Sequence, residues 1–201
     1  MNERIRVRQF ERLRWHQPEP VLRNLRYIET HVLLDDAMDD RVRRLRTNDS
    51  KDWREARDAA IFCYGLRCSA VNESVSVAKS ECDDFDCVLR WVTGERIHYC
   101  PVQLKELPPD DLNPSVTLED IYKGLEKYSG ETDLAVATKV NRQGRLYYRP
   151  WERPDRPPIK ELWLFGCLSA DQSQWFIYGD VLGSPRYHEF AYPTSGGPVF
   201  A

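Results

Sequence analysis

DDFDCVLRWVTGERIHYCPVQLKELPP, Asp83 to Pro109, is the stretch on which the reading of this chain turns. Apolar and polar residues alternate on either side of Gly94-Glu95, the pattern of a β-hairpin whose two-residue turn uses glycine for a positive φ. Centring the turn there pairs Thr93 with Arg96, Val92 with Ile97 and Trp91 with His98, and continuing the ladder sets Asp86 against Gln103. Opposed residues share a face with Cβ atoms about 5 Å apart, and Lys105, two residues further on, shares it at diagonal distance. Val102 and Leu104 then point to the other face and can bury. The expectation is one carboxylate, one amide and one ammonium converging on a packed sheet.

The surroundings are those of an α/β domain. Upstream, NDSKDWREARDAAIFCYGL predicts a helix with Asp49 or Ser50 as N-cap, acids in its first turn, and Trp53, Ala56, Ala60 and Tyr64 at helical spacing before Gly65. SAVNESVSVAK then alternates with period two, so three consecutive antiparallel strands are expected. Downstream, Thr117 opens a helix with Asp120 three positions on, closing near Gly130, and DLAVATKVN reads as a short apolar strand. ELWLFGCL and QWFIYGD form a further hairpin near the C-terminus. The tail SPRYHEFAYPTSGGPVFA reads as irregular. Residues 1–50 form an Arg-rich helical extension, with a break at Pro18 and Pro20 and a second short helix expected around Asp36 to Arg46. Residues 51–201 form the main domain, with its core at about 52–140.

Bulk properties bound the function. A chain of 201 residues can bury a self-sufficient core. With 41% hydrophobic and 30% charged residues it has a globular composition. No stretch has the make-up of a signal peptide or a membrane span, so a cytoplasmic location and no membrane partner are expected. Six cysteines are too few for a disulfide scaffold, and reduced thiols follow. Cys63-x4-Cys68 and Cys82-x4-Cys87 fit burial better than zinc. A net charge of −3 argues against a uniformly basic nucleic-acid binder. Arginines nevertheless cluster at 4, 6, 8, 12 and 14 and again at 41, 43, 44, 46, 54 and 57, interleaved with acids. Solvated helix faces with ion pairs explain them more economically than a phosphate-facing patch. Glycine-rich phosphate loops, dinucleotide fingerprints and Ser-His-Asp or Cys-His orders are missing from the sequence, which disfavours the corresponding enzymes. The aromatic residues Trp163, Phe165, Trp175, Phe176 and Tyr178 are read as core or interface before base-stacking groups.

The chemistry of the hairpin is that of hard oxygen ligands. The Asp86 carboxylate and the Gln103 amide oxygen suit Mg²⁺ or Mn²⁺, and Lys105 could hold a water or stabilise charge on a reacting phosphate. Helix, three antiparallel strands, helix and strand, with Phe85-Asp86 on the second strand and Gln103-Leu104-Lys105 on the third, resembles the PD-(D/E)xK nuclease superfamily, in the glutamine form of Mrr-like restriction endonucleases. The resemblance spans about Asp52 to Val140, with Phe85 where the family has proline. It implies a restriction-endonuclease-like mixed sheet core of order α-β-β-β-α-β, with the N-terminal extension and the C-terminal hairpin added. It further implies that Asp86, Gln103 and the Leu104 carbonyl bind Mg²⁺ or Mn²⁺ and that Lys105 activates the attacking water. The helix glutamate of many members matches Glu55 by position; Glu73, Glu81, Asp83 or Asp84 could supply that carboxylate instead. The implied function is metal-dependent DNA hydrolysis, for which a homodimer would suit double-strand cleavage. The alternative is a weak or inactive nuclease-fold module that binds nucleic acid or a protein partner, because glutamine in place of an acid lowers the charge that holds a cation.

Overall fold

The computed structural model describes residues 3–31, 51–69, 74–80, 85–128, 133–142, 144 and 156–194. The expected Asp49 or Ser50 cap, the helix expected at Asp36 to Arg46, and Glu73, Glu81, Asp83 and Asp84 lie outside these residues. Among the described residues the chain is mixed α/β, with four α-helices and a seven-stranded mixed sheet.

The sheet grows from the hairpin. Strand β2 (Cys87–Thr93) and strand β3 (Arg96–Leu107) pair antiparallel through Thr93–Arg96, Val92–Ile97 and Trp91–His98, as the turn requires. Gly94 sits at φ 61°, the positive value needed at the first central position of a type II′ turn. Strand β1 (Ser76–Lys79) pairs antiparallel on the outer side of β2. Beyond β3 the direction changes: β4 (Ala135–Val140) lies parallel to β3, and β5 (Glu161–Cys167) lies parallel to β4. Strand β6 (Gln174–Gly179) returns antiparallel to β5, as the expected late hairpin.

The tail is the first correction. Arg186–Ala191 is not irregular but forms β7, antiparallel to β6, with Trp175 facing Phe190 and Tyr178 facing Tyr187. Only Phe190 of these six residues is buried, so the segment lacks the apolar alternation that marks a strand. Its pairing comes from the free edge of β6, the strand just before it in the chain, and the polar arm of that pair carries no apolar signal.

Both faces of the sheet are covered, and strand alternation splits the core in two. Helix α1 is Glu3–Glu11, α2 Pro18–His31, α3 Lys51–Cys68 and α4 Leu118–Lys123, the last running into a 3₁₀ turn, Gly124–Tyr128. Cys87, Leu89, Val102, Ala135, Ala137 and Phe165 join Leu22 of α2 and Ala60, Ile61 and Phe62 of α3. Their neighbours Val88, Val136, Leu162 and Leu164 join Phe10 of α1 and Tyr122 and Leu125 of the α4 region. Leu22 and Phe10 therefore tie residues of the N-terminal fifty into the same two cores, aided by the Tyr192 hydroxyl donating to Leu22 O at 2.9 Å.

Helix α3 departs from its expected face. Trp53 is 44% exposed while Asp58 through Cys63 are all buried. The helix enters the core only in its second half, where α2 covers its back, so burial there is nearly all-round and the spacing pattern loses its meaning. Helix α4 starts as expected. The Thr117 hydroxyl accepts from Asp120 N–H at 3.1 Å and the Asp120 carboxylate accepts from Thr117 N–H at 2.9 Å, a complete capping box.

Candidate functional site

Strand β3 is longer than β2, and that inequality makes the site. The last ladder pair is Cys87–Val102, so beyond Val102 the β2-facing side of β3 has no strand partner. Asp86, in the bend before β2, supplies the missing acceptor. Its N–H donates to Val102 O at 3.0 Å, and its Oδ2 accepts from the freed Leu104 N–H at 2.6 Å. The Gln103 side-chain amide also donates to Oδ2 and, at 3.3 Å, to Leu104 O. Asp86 and Gln103 thus meet as the next residues on the two arms.

Lys105 shares the face of Gln103, and both stand beside β4 residues of the same core, Val136 and Thr138. Its ammonium lies 5.6 Å from the centre of the Tyr128 ring, a cation–π contact from the 3₁₀ turn. Tyr128 carried no signal in the sequence. It follows an ordinary amphipathic helix, and only the turn after α4 brings it over the sheet.

The charges in this region are in tension. Burial pushes the Asp86 carboxyl above its ordinary range; the Leu104 N–H opposes this, the negative charge of Glu55 adds to it, and Lys105 and Lys51 oppose it. Lys105 is pushed below the usual lysine range by burial, with Asp86 pulling the other way. Burial likewise raises the Tyr128 hydroxyl, with Lys127 opposing. Glu55, half-buried on the first turns of α3, pairs with Lys51 at 3.4 Å. Of the four side chains expected from the sequence, Asp86 and Gln103 touch, Lys105 shares their face, and Glu55 acts on Asp86 through its charge alone.

The donor set can be tested against a divalent cation. Among the described residues no three His, Cys, Asp or Glu side chains converge into a ready cage. What is present is one carboxylate, one backbone carbonyl and one amide, all able to offer oxygen, with a second carboxylate close enough for its charge to be felt. The amide turns its NH₂ toward Asp86, so offering oxygen requires a half-turn about its last torsion, a low-cost rotation. A carboxylate whose charge is opposed by burial and by Glu55 is a group that a cation would relieve. The residues fit Mg²⁺ or Mn²⁺.

Other expected features resolve simply. Cys87, adjacent to Asp86, is buried on the opposite face, where burial raises its thiol well above the ordinary value. Cys63 and Cys100 are buried too, free of disulfides. His98 stacks on Trp91 at 5.2 Å and 13°, a packing role. Among the clustered arginines, Arg6 pairs with Asp133 at 3.0 Å and Arg57 with Glu29 at 2.6 Å, while Arg41, Arg43, Arg44 and Arg46 lie outside the described residues. Phe165 and Trp175 are fully buried. Among the described residues no helix is long and apolar enough to cross a membrane.

No protein-family model, curated protein or solved structure matches the chain. The functional reading therefore stands on the site itself.

Proposed function

We propose that the chain is a Mg²⁺- or Mn²⁺-dependent endonuclease of PD-(D/E)xK type that hydrolyses DNA phosphodiesters. The observation that carries the reading is the meeting of Asp86 and Gln103 at the end of the hairpin, with Lys105 on the same face and the charge of Glu55 reaching Asp86 from α3. The order of elements supports it: α3, antiparallel β1, β2 and β3, then α4, then β4 parallel to β3.

In this reading Asp86, the Gln103 amide oxygen and Leu104 O would hold the cation. When bound, the ion supplies positive charge that polarises the phosphate and its attacking water. Lys105 does the proton work. Burial shifts it toward the neutral amine, so Nζ can take a proton from the water as the water oxygen bonds to phosphorus and the ester P–O bond breaks, the leaving oxygen taking its proton from solvent. Tyr128, beneath the ammonium, limits where Nζ can go. Rigid support comes from Val102 and Leu104 on the reverse of the same strand.

A second reading rests on a specific observation. Asp86 already caps the Leu104 N–H and accepts from Gln103, so it also has a structural role without any cation. On that view the chain is a nuclease-fold module that binds nucleic acid without cutting it.

One experiment separates them. Purified protein is incubated with supercoiled and linear DNA in Mg²⁺ or Mn²⁺, beside Lys105→Ala, with DNA binding measured in parallel. The nuclease reading expects cleavage that Lys105→Ala reduces about 10³-fold, equivalent to about 4 kcal/mol. Equal cleavage by both proteins sinks it, and binding without cleavage selects the second reading.

A further inference from the structure

We infer that the crevice at the carboxyl ends of β3, β4 and β5 binds a mononucleotide, its base on an aromatic shelf and its phosphate toward Arg57 and Lys139. Because these three strands run parallel, their ends at Leu107, Val140 and Cys167 open on one edge of the sheet. Crevices outside the carboxyl ends of parallel strands are where α/β sheets accept ligands, since helix and loop connections part there.

Two recesses open at this edge, of about 980 Å³ and about 380 Å³. They share Pro109, Val140, Asn141, Cys167 and Gln172 as walls, so they adjoin as two lobes at the strand ends, the larger on the side of Leu164 and Phe176 and the smaller on that of Lys139 and Trp175. The combined space is ample for a ligand of nucleotide size.

The lobes differ in chemistry. In the larger one, Phe176 and Tyr187 stack on each other at 5.8 Å and 21°, beside Leu164 and Tyr178. Tyr187 is 54% exposed, a large planar surface presented to solvent on a strand whose neighbour Phe190 is buried. A shelf of this kind offers a π-face to any planar heteroaromatic ring.

The smaller lobe is lined by Arg57, Lys139 and Glu29. Arg57 Nη1 donates to Glu29 at 2.6 Å, but its buried Nε makes no hydrogen bond, and Asp58 Oδ1 stands 3.8 Å from it. Lys139 Nζ gives one of its three donors to Asp58 Oδ1 at 2.7 Å. The two cations are balanced by Glu29 and Asp58, so an incoming anion meets spare donors and little net charge. That suits one phosphate group and not a triphosphate. An aromatic shelf joined to a spare-donor lobe describes a ligand with a planar ring at one end and a single phosphate at the other.

The site is independent of the Asp86 region and needs no divalent cation. The test is titration calorimetry of the full chain in metal-free buffer with AMP, GMP, CMP and UMP, and with the matching nucleosides and inorganic phosphate. At least one mononucleotide is expected to bind with a Kd below about 1 mM, with its nucleoside and phosphate each at least about tenfold weaker. Tyr187→Ala, on an exposed side chain, should weaken that binding about fivefold or more. Arg57→Lys, which keeps the charge and removes Nε, should do the same with the folded signal in circular dichroism retained. Failure of all four nucleotides to bind, a nucleoside or phosphate binding as tightly as the nucleotide, or unchanged affinity in Tyr187→Ala would each overturn the inference.

Discussion

Lys105 and Lys139 lie on neighbouring parallel strands, and the sheet treats them differently. Thr138, paired with Lys105, is the residue before Lys139, so the two ammonium groups project to opposite faces. Burial pushes both below the usual lysine range. Lys139 has a carboxylate at 2.7 Å, Asp58, which in turn stands beside Arg57 and Glu29. Lys105 has a tyrosine ring and the more remote charge of Asp86. At Lys139 the Asp58 carboxylate opposes desolvation from hydrogen-bond distance, whereas at Lys105 only the charge of Asp86 opposes it. The difference separates a lysine tied into an ion pair from one that the proposed mechanism can use for proton transfer.

Substituting each lysine by methionine should break the comparison most sharply. Lys139→Met leaves Asp58 buried beside one fewer cation and is expected to cost about 3–5 kcal/mol in urea unfolding. The double variant Lys139→Met/Asp58→Leu should recover most of that loss, because a matched apolar pair needs no desolvation. Lys105→Met should stay within about 0.5 kcal/mol of the parent. Comparable losses at the two positions would mean that Lys105 is also a structural group.

Asp86→Asn comes next. It keeps an acceptor for the Leu104 N–H and removes the charge, so cleavage should fall at least about 10²-fold, or about 2.7 kcal/mol, while folding survives. The sign of its pH effect follows from the raised carboxyl. The folded state keeps the Asp86 proton to higher pH than the unfolded chain does, so ionisation of this group costs the fold stability as pH rises from the ordinary carboxyl range through the raised value. Asp86→Asn should remove that part of the decline, read as melting temperature between pH 3 and pH 7 in parent and variant. A steeper decline in the variant would contradict the assignment.

Gln103→Glu tests the cation directly. A second carboxylate against Asp86 should tighten Mg²⁺ binding by about tenfold and lower the metal-free melting temperature at neutral pH. Unaltered Mg²⁺ affinity by calorimetry would remove Gln103 from the ligand set. The smallest effect expected is at the turn. Gly94→Ala places a Cβ at φ 61° with open space around it, so the cost is conformational alone, about 1 kcal/mol by denaturation.

The hairpin was legible because its signals are local. Gly94 sets the turn, alternation sets the faces, and the two together bring Asp86 to Gln103 across seventeen positions. The Thr117–Asp120 capping box and the apolar run of β4 are equally short-range. Strand β7 was not legible because only Phe190 of its residues is buried, and the exposure of Trp53 was not because it depends on where α3 enters the core. Glu55 could be matched to a helix by position, but its electrostatic reach to Asp86 depends on how α3 crosses the sheet.

The sequence by itself determined the register of the hairpin, and through it the face on which Asp86, Gln103 and Lys105 meet, because a two-residue turn and a period of two leave one way to pair the arms. Only the tertiary structure decided that Lys139 finds Asp58 eighty-one residues away, that Tyr128 lies under Lys105, and that parallel β3, β4 and β5 open a crevice at one edge. Those outcomes depend on packing between elements far apart in the chain, where the stabilising contact exists only after the sheet has formed.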